Sequence, residues 1–204
     1  MAVQSGVYRG VSAEQRAAER RLRLLDAALE VWADPGQRTT MTAICAAAGL
    51  TERYFYESFA GLDEALLAVM DRIAEEIEQV TDAAADAASG GDPVAQATAV
   101  LDAFVGLIAA DPRKGRVAIV EAGAMPALRA RRTQLLRHFA HRAAVEGRDR
   151  LGLPHRGEHE EEIAGLLFIG GMAELVTAWL DGAIEATPAD IVATTSRSFL
   201  ALYT

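Results

Sequence analysis

Apolar residues recur along most of this chain at spacings of three and four, the pattern of helices with one buried stripe. The first stripe is Leu25, Ala28, Leu29 and Trp32. Ser12 and Gln15 stand where a capping box opens that helix, and Asp34-Pro35-Gly36 stops it near Ala33. Thr40 caps a short helix, Met41 to Ala48, which Gly49 ends because glycine accepts the left-handed geometry after a helix. Thr51 caps the next helix, Glu52 to Phe59, and Ala60-Gly61 breaks the chain again. A longer helix follows, Leu62 to Ala87, with the stripe Leu66, Val69, Ile73, Ile77 and Val80.

Ser89-Gly90-Gly91-Asp92-Pro93 is the clearest loop; Asp92 caps and Pro93 starts a helix that ends near Asp111-Pro112. A short helix is expected over Arg113 to Ala122. Pro126 then opens a long one to about Leu151, another spans Glu160 to Ala186, and the last runs from Thr187-Pro188 to Leu202. Runs of alternating valine, isoleucine and threonine are absent, so no strand is predicted. The fold class is all-α, with about nine helices.

Composition agrees: 51% of the 204 residues are apolar, enough to bury a sizeable core. The single cysteine, Cys45, rules out an internal disulfide and a multi-cysteine metal cage, and suits a reducing cytoplasm. Met1 to Gly10 carries no apolar signal segment, and Met1 to Val11 is read as a polar arm. The uninterrupted apolar run Ile163 to Ala173 reads as too short to span a bilayer, so no membrane partner is expected.

The formal net charge is −9, which at first argues against a polyanionic partner. Its distribution changes that reading. Residues 1–60 hold seven arginines against seven acidic residues, so the whole acidic excess lies beyond them. Phosphate contact needs a local cationic footprint rather than a basic protein. Arg9, Arg16, Arg20, Arg21 and Arg23 supply one.

The segment Thr39 to Phe59 holds the two short helices joined by Gly49-Leu50. Ile44, Ala47, Leu50, Phe55 and Phe59 are placed to face the first helix. This is the build of a helix-turn-helix, whose second helix enters the major groove. From Arg23 to Leu67 the chain resembles the DNA-binding domain of the tetracycline-repressor (TetR) family. The matching residues are Leu24-Leu25-Asp26-Ala27-Ala28, Trp32, Gly36, Thr40, Ile44, Ala48-Gly49-Leu50, Thr51, Tyr56, Phe59, Glu64 and Leu66. Arg53, Glu52 and Leu62 depart from the pattern, which usually has a small residue, a basic residue and a lysine there.

The resemblance implies a helix-turn-helix DNA-binding domain over residues 1–60 and a helical effector-binding and dimerisation domain over residues 61–204. It implies a homodimeric repressor on double-stranded operator DNA, released by a small-molecule effector, cytoplasmic and without a cofactor. Thr51 and Tyr56 would contact phosphate, joined by Thr40 and Thr42, while Arg53 and Tyr54 would lie on the base-reading face. Arginine bonds guanine O6 and N7 through two parallel hydrogen bonds, and hydroxyls suit phosphate oxygens. The effector would lie among Phe104, Ile108, Val117, Met125, Leu135, Phe139, Phe168 and Met172, with Glu121 as a polar anchor, and would be hydrophobic or amphipathic. Gly170, Gly171, Trp179 and Phe199 would meet a second copy.

Other residues carry weaker chemistry. His138 and His141 share a helix face, and His155 and His159 lie near Glu160, Glu161 and Glu162. No ligand spacing completes a metal site, and Arg137 and Arg142 would repel a cation, so a solvated face is expected. Arg129, Arg131 and Arg132 read as a charged helix face, and Cys45 as core. The helix Glu160 to Ala186 is apolar nearly all round, so burial on most sides is expected, with Gly165, Gly170 and Gly171 allowing close approach by a partner or leaving space for a ligand. No phosphate-binding glycine loop, nucleophile elbow or catalytic carboxylate pair appears, so no enzymatic activity is expected. The competing reading is a helical enzyme or small-molecule carrier with an incidental helix pair.

Overall fold

The computed structural model describes residues 12–155 and 157–203, and shows no strand among them. The polar arm Met1 to Val11, including Arg9, lies outside the described residues. Two compact units divide the chain, Met1–Asp71 and Arg72–Thr204, so the division falls inside the fourth helix.

In the first unit α1 (Ala13–Ala33) opens on the expected capping box: the Gln15 N–H donates to Ser12 Oγ at 3.0 Å and the Ser12 N–H to Gln15 Oε1 at 2.7 Å. The stripe Leu25, Ala28, Leu29 and Trp32 is buried, along with Leu24 and Val31. α2 (Met41–Ala48) and α3 (Glu52–Ser58) complete the trio. Gly49 sits at φ +62, the left-handed region that favours glycine, and its N–H closes onto the Ala46 carbonyl at 3.1 Å. Ile44, Phe55 and Phe59 are buried as expected. Ala47 instead faces solvent, and Cys45 and Ala48 take the inner positions. Eight residues make little more than two turns, so a one-residue shift in phase, about 100°, is enough to carry a residue off the buried side. Burial pushes the Cys45 thiol up, helped by the nearby Glu52 carboxylate, which suits an inert core residue.

α4 (Leu62–Ala87) runs from the first unit into the second. In the second unit follow α5 (Pro93–Ala110), α6 (Pro112–Gly115), a π-helical stretch (Arg116–Glu121), α7 (Ala122–Ala124), α8 (Pro126–Asp149), α9 (Glu158–Leu180) and α10 (Pro188–Tyr203). Taking the unbroken run 112–124 as one irregular helix leaves nine helices among the described residues. Asp92 Oδ1 caps α5 by accepting from the Val94 and Ala95 N–H groups. Thr187 and Asp190 cap α10 reciprocally, through the Thr187 N–H to Asp190 Oδ2 and the Asp190 N–H to Thr187 Oγ1. α9 stops at Leu180 rather than Ala186. Gly182 takes φ +69 and returns its N–H to the Trp179 carbonyl, closing the helix early.

One core cluster of the second unit joins Leu101 and Ile108 of α5, Phe168, Met172 and Val176 of α9, and Phe199 of α10. α8 crosses α9 at Gly165, where a β-carbon would lie 2.6 Å from the Ala140 carbonyl oxygen; only glycine fits that approach. α9 is not buried all round. Ile163, Leu166 and Leu167 stay exposed, and Gly170 and Gly171 open onto space. Two helices, α5 and α9, are long and apolar enough to cross a membrane by length and composition alone. In α9 the apolar stretch runs on past Glu174, the one carboxylate between Ile163 and Leu180.

Candidate nucleic-acid interface

The outer face of the first unit is made by the N-terminal turns of α2 and α3. Thr40 Oγ1 accepts the Ala43 N–H at 3.1 Å and so caps α2, with its O–H left to donate. Thr42, two residues on, donates to Glu52 Oε1 at 3.3 Å. Thr51 occupies the N-cap position of α3 but makes no side-chain capping bond, so its exposed hydroxyl remains available. Tyr56 is 59% exposed, and its ring meets Phe55 edge-on at 6.0 Å. Phe55 anchors the helix from beneath while Tyr56 projects outward; the two are adjacent, so a single turn supplies both a core plug and a hydroxyl-bearing surface group.

Arg53 has its side chain 83% exposed, and its Nε donates to Glu57 Oε1 at 3.0 Å. Tyr54 does not share that freedom. It is half-buried, and the Arg20 guanidinium of α1 covers its ring at 4.5 Å. Tyr54, expected on the base-reading face, thus meets α1 through Arg20. Arg20 also approaches Glu57 at 3.7 Å. Arg21 stacks on Phe59 at 4.3 Å, and Arg23 donates to the Ala48 carbonyl at 2.6 Å, sealing the end of α2. The N-terminal arginines thus divide their work: Arg21 and Arg23 hold the trio together, while Arg20 supports the face of α3. Glu57 is the residue that sequence reasoning missed, although its spacing of four from Arg53 on one helix was visible.

The residues proposed for an effector site are only partly gathered. Ile108, Phe168 and Met172 belong to the core cluster, with Phe104 packed against it. Val117 is buried in the π-helical stretch. Met125, Leu135 and Phe139 are half-buried, and the cluster does not include them among the described residues. Glu121 is half-buried and pairs with Arg116 at 3.7 Å; Arg116 also reaches Asp181 at 3.3 Å.

Among the residues assigned to a second copy, Phe199 belongs to its own chain's core cluster. It is 7% exposed and packs against Phe168 with ring centroids 5.1 Å apart, inside its own chain. Helical spacing on α10 does not reveal which stripe faces its own core. Trp179 is half-buried, its indole N–H donating to the Ala186 carbonyl at 3.0 Å. Of the histidines, His138 lies 2.5 Å from Glu78 and His155 lies 2.6 Å from Glu161. Glu161 is buried rather than solvated, because the first turn of α9 points it inward, toward Arg148 as well at 3.7 Å.

No family model matches this chain, and no curated protein matches it. Solved structures do. A TetR-like transcriptional regulator from a Rhodococcus species is similar over 90% of this chain and 94% of its own, with 21% identity and a TM-score of 0.65. A second Rhodococcus transcriptional regulator has 17% identity and a TM-score of 0.71 over 89% and 95% of the two chains. The regulator FadR from Bacillus subtilis, solved in complex with stearoyl-CoA, has 20% identity and a TM-score of 0.68 over 90% and 97%. The chain therefore has the fold of the TetR-like regulators across nine-tenths of its length.

Proposed function

We propose that this chain is a cytoplasmic, homodimeric transcriptional regulator that binds double-stranded operator DNA and releases it on binding a small hydrophobic or amphipathic effector. The N-terminal residues, 1–60, carry the DNA-binding face, and residues 61–204 carry dimerisation and effector binding. One observation carries the reading: α3 buries Phe55 and presents Arg53, Tyr56 and the uncommitted Thr51 hydroxyl outward. Arg53 has the donors for guanine, and the hydroxyls suit phosphate. The apolar residues around Phe104, Ile108, Phe168 and Met172 suit an acyl chain of the kind FadR holds. The exposed stripe of α9, with Ile163, Leu166, Leu167, Gly170 and Gly171, suits a second copy.

A binding-site selection with the full chain tests this. It should enrich a palindrome with half-sites about 34–36 Å apart, or a multiple of that. Tyr56→Phe should weaken binding to all sequences alike, as expected of a phosphate contact. Failure to enrich any DNA, together with turnover of a bound small molecule, would favour a helical enzyme instead.

A further inference from the structure

The carboxylate of Glu57 lies between two arginines on the face that the proposed function turns toward DNA. Oε1 accepts from Arg53 Nε at 3.0 Å, and Oε2 lies 3.7 Å from Arg20 Nη2. Arg20 is itself fixed, its guanidinium resting on the Tyr54 ring at 4.5 Å. A line of contacts therefore runs from Tyr54 to Arg20 to Glu57 to Arg53, crossing from α1 to the tip of α3. An acidic residue on a DNA-facing surface opposes binding through repulsion from phosphates. Its presence at this position needs a compensating role.

We propose that Glu57 is a positioning residue for Arg53 and thereby sets the base preference of α3; this rests on the DNA-binding reading above. An arginine with its side chain 83% exposed samples many rotamers and can reach phosphates as readily as bases. Engaging Nε with Glu57 restrains the guanidinium and leaves both terminal nitrogens free. Those two donors are the pair that meets guanine O6 and N7 in parallel. The same bond keeps Arg53 partly neutralised, so it gains little from a bare phosphate. Arg20, backed by Tyr54, holds the second carboxylate oxygen, so Glu57 is itself oriented. The ordinary alternative is an exposed i,i+4 ion pair that does nothing beyond the helix.

The two differ in base preference: only a positioning role makes loss of Glu57 weaken the discrimination that Arg53 supplies. The full chain is titrated with the selected duplex and with a scrambled duplex over a range of salt. Glu57→Gln should bind the scrambled duplex more tightly, with a salt slope steeper by about one phosphate contact. Its preference should fall by about tenfold at the base pair that Arg53→Ala identifies. Glu57→Asp retains the charge but not the reach, and should lose the preference without gaining scrambled affinity. In an Arg53→Ala background, Glu57→Gln should leave the remaining preference unchanged. The proposal is overturned if Glu57→Gln lowers affinity for both duplexes equally, which is a structural defect. It is also overturned if the preference changes in the absence of Arg53, since Glu57 would then read a base itself. A wild-type chain that selects no sequence fails before any variant is made, and removes the DNA-binding reading with it.

Discussion

Glu57 in the first unit and Glu78 in the second each lie between two basic side chains, yet the surroundings give the two carboxylates different work. Glu57 joins α1 to the exposed tip of α3 and leaves most of Arg53 in solvent. Glu78 meets His138 at 2.5 Å and Arg142 at 3.9 Å, both on α8. It is one of a row. Glu78, Asp82 and Asp86 of α4 stand four residues apart and meet His138, Arg142 and Arg150 of α8, while Glu76 meets Lys114 of α6. Beyond Ala74 this half of α4 buries only Ala85 fully among its described side chains. Charge pairs, more than apolar packing, attach it to α8. The acidic excess outside residues 1–60 is thus partly matched inside the second unit, while the charges of α3 remain directed outward.

The largest expected effect tests whether apolar packing still dominates where α8 meets α9. Gly165→Val places a branched side chain against the Ala140 carbonyl, where even a β-carbon would lie 2.6 Å away. It should destabilise the chain by about 3 kcal/mol in urea denaturation. Gly171→Ala meets open space in the single chain and should instead stabilise the helix by up to about 1 kcal/mol. Gly171→Leu should dissociate dimers in sedimentation if that stretch of α9 meets a second copy. Equal losses for Gly165→Val and Gly171→Ala would mean that both glycines serve close approach.

A smaller effect sharpens the comparison of charges. Arg142 contacts Glu78, Asp82 and Glu146, the last at 2.8 Å. Burial works against its charge, but the bonds from Asp82 and Glu146 outweigh that and hold the guanidinium above its ordinary range. Arg142→Gln should cost about 1 kcal/mol at low salt, and less as ionic strength rises. Arg53→Gln should leave stability unchanged within about 0.5 kcal/mol, because that arginine serves a surface. A salt-independent loss at Arg142 would assign its role to the packing of its aliphatic stem instead.

The helix-turn-helix was legible because its signals are local. Caps such as Thr40, a left-handed glycine at Gly49 and the plugs Phe55 and Phe59 act within a few residues of themselves. The second unit was legible in helix number but less in detail. The π-helical stretch Arg116–Glu121 carries no cap or breaker to announce it, and α9 ended six residues before Ala186 at a glycine that resembled its helical neighbours. The contact of Phe199 with Phe168 was not legible, because an apolar stripe records burial without recording what buries it. The pairing of α4 with α8 joins residues about sixty positions apart, and no spacing along one helix encodes it.

The smallest effect separates two threonines that looked alike. Both Thr40 and Thr51 stand at the N-cap of a short helix, with extended backbone at φ −138 and −85. Only Thr40 closes the cap, its Oγ1 accepting the Ala43 N–H at 3.1 Å. Thr40→Ala should therefore lose about 1 kcal/mol of stability, read from the urea midpoint, and weaken DNA binding only through that loss. Thr51→Ala removes no bond within the chain and should change stability by no more than a few tenths of a kcal/mol. Its cost should appear on titration with the selected duplex, as a loss of about 1 kcal/mol that is the same for every sequence, because a hydroxyl on phosphate carries no base information. Thr51→Ser keeps the hydroxyl and should restore binding. A Thr51→Ala chain that binds DNA normally but melts early would mean that the Thr51 hydroxyl caps α3 in solution, and that the two threonines do the same job.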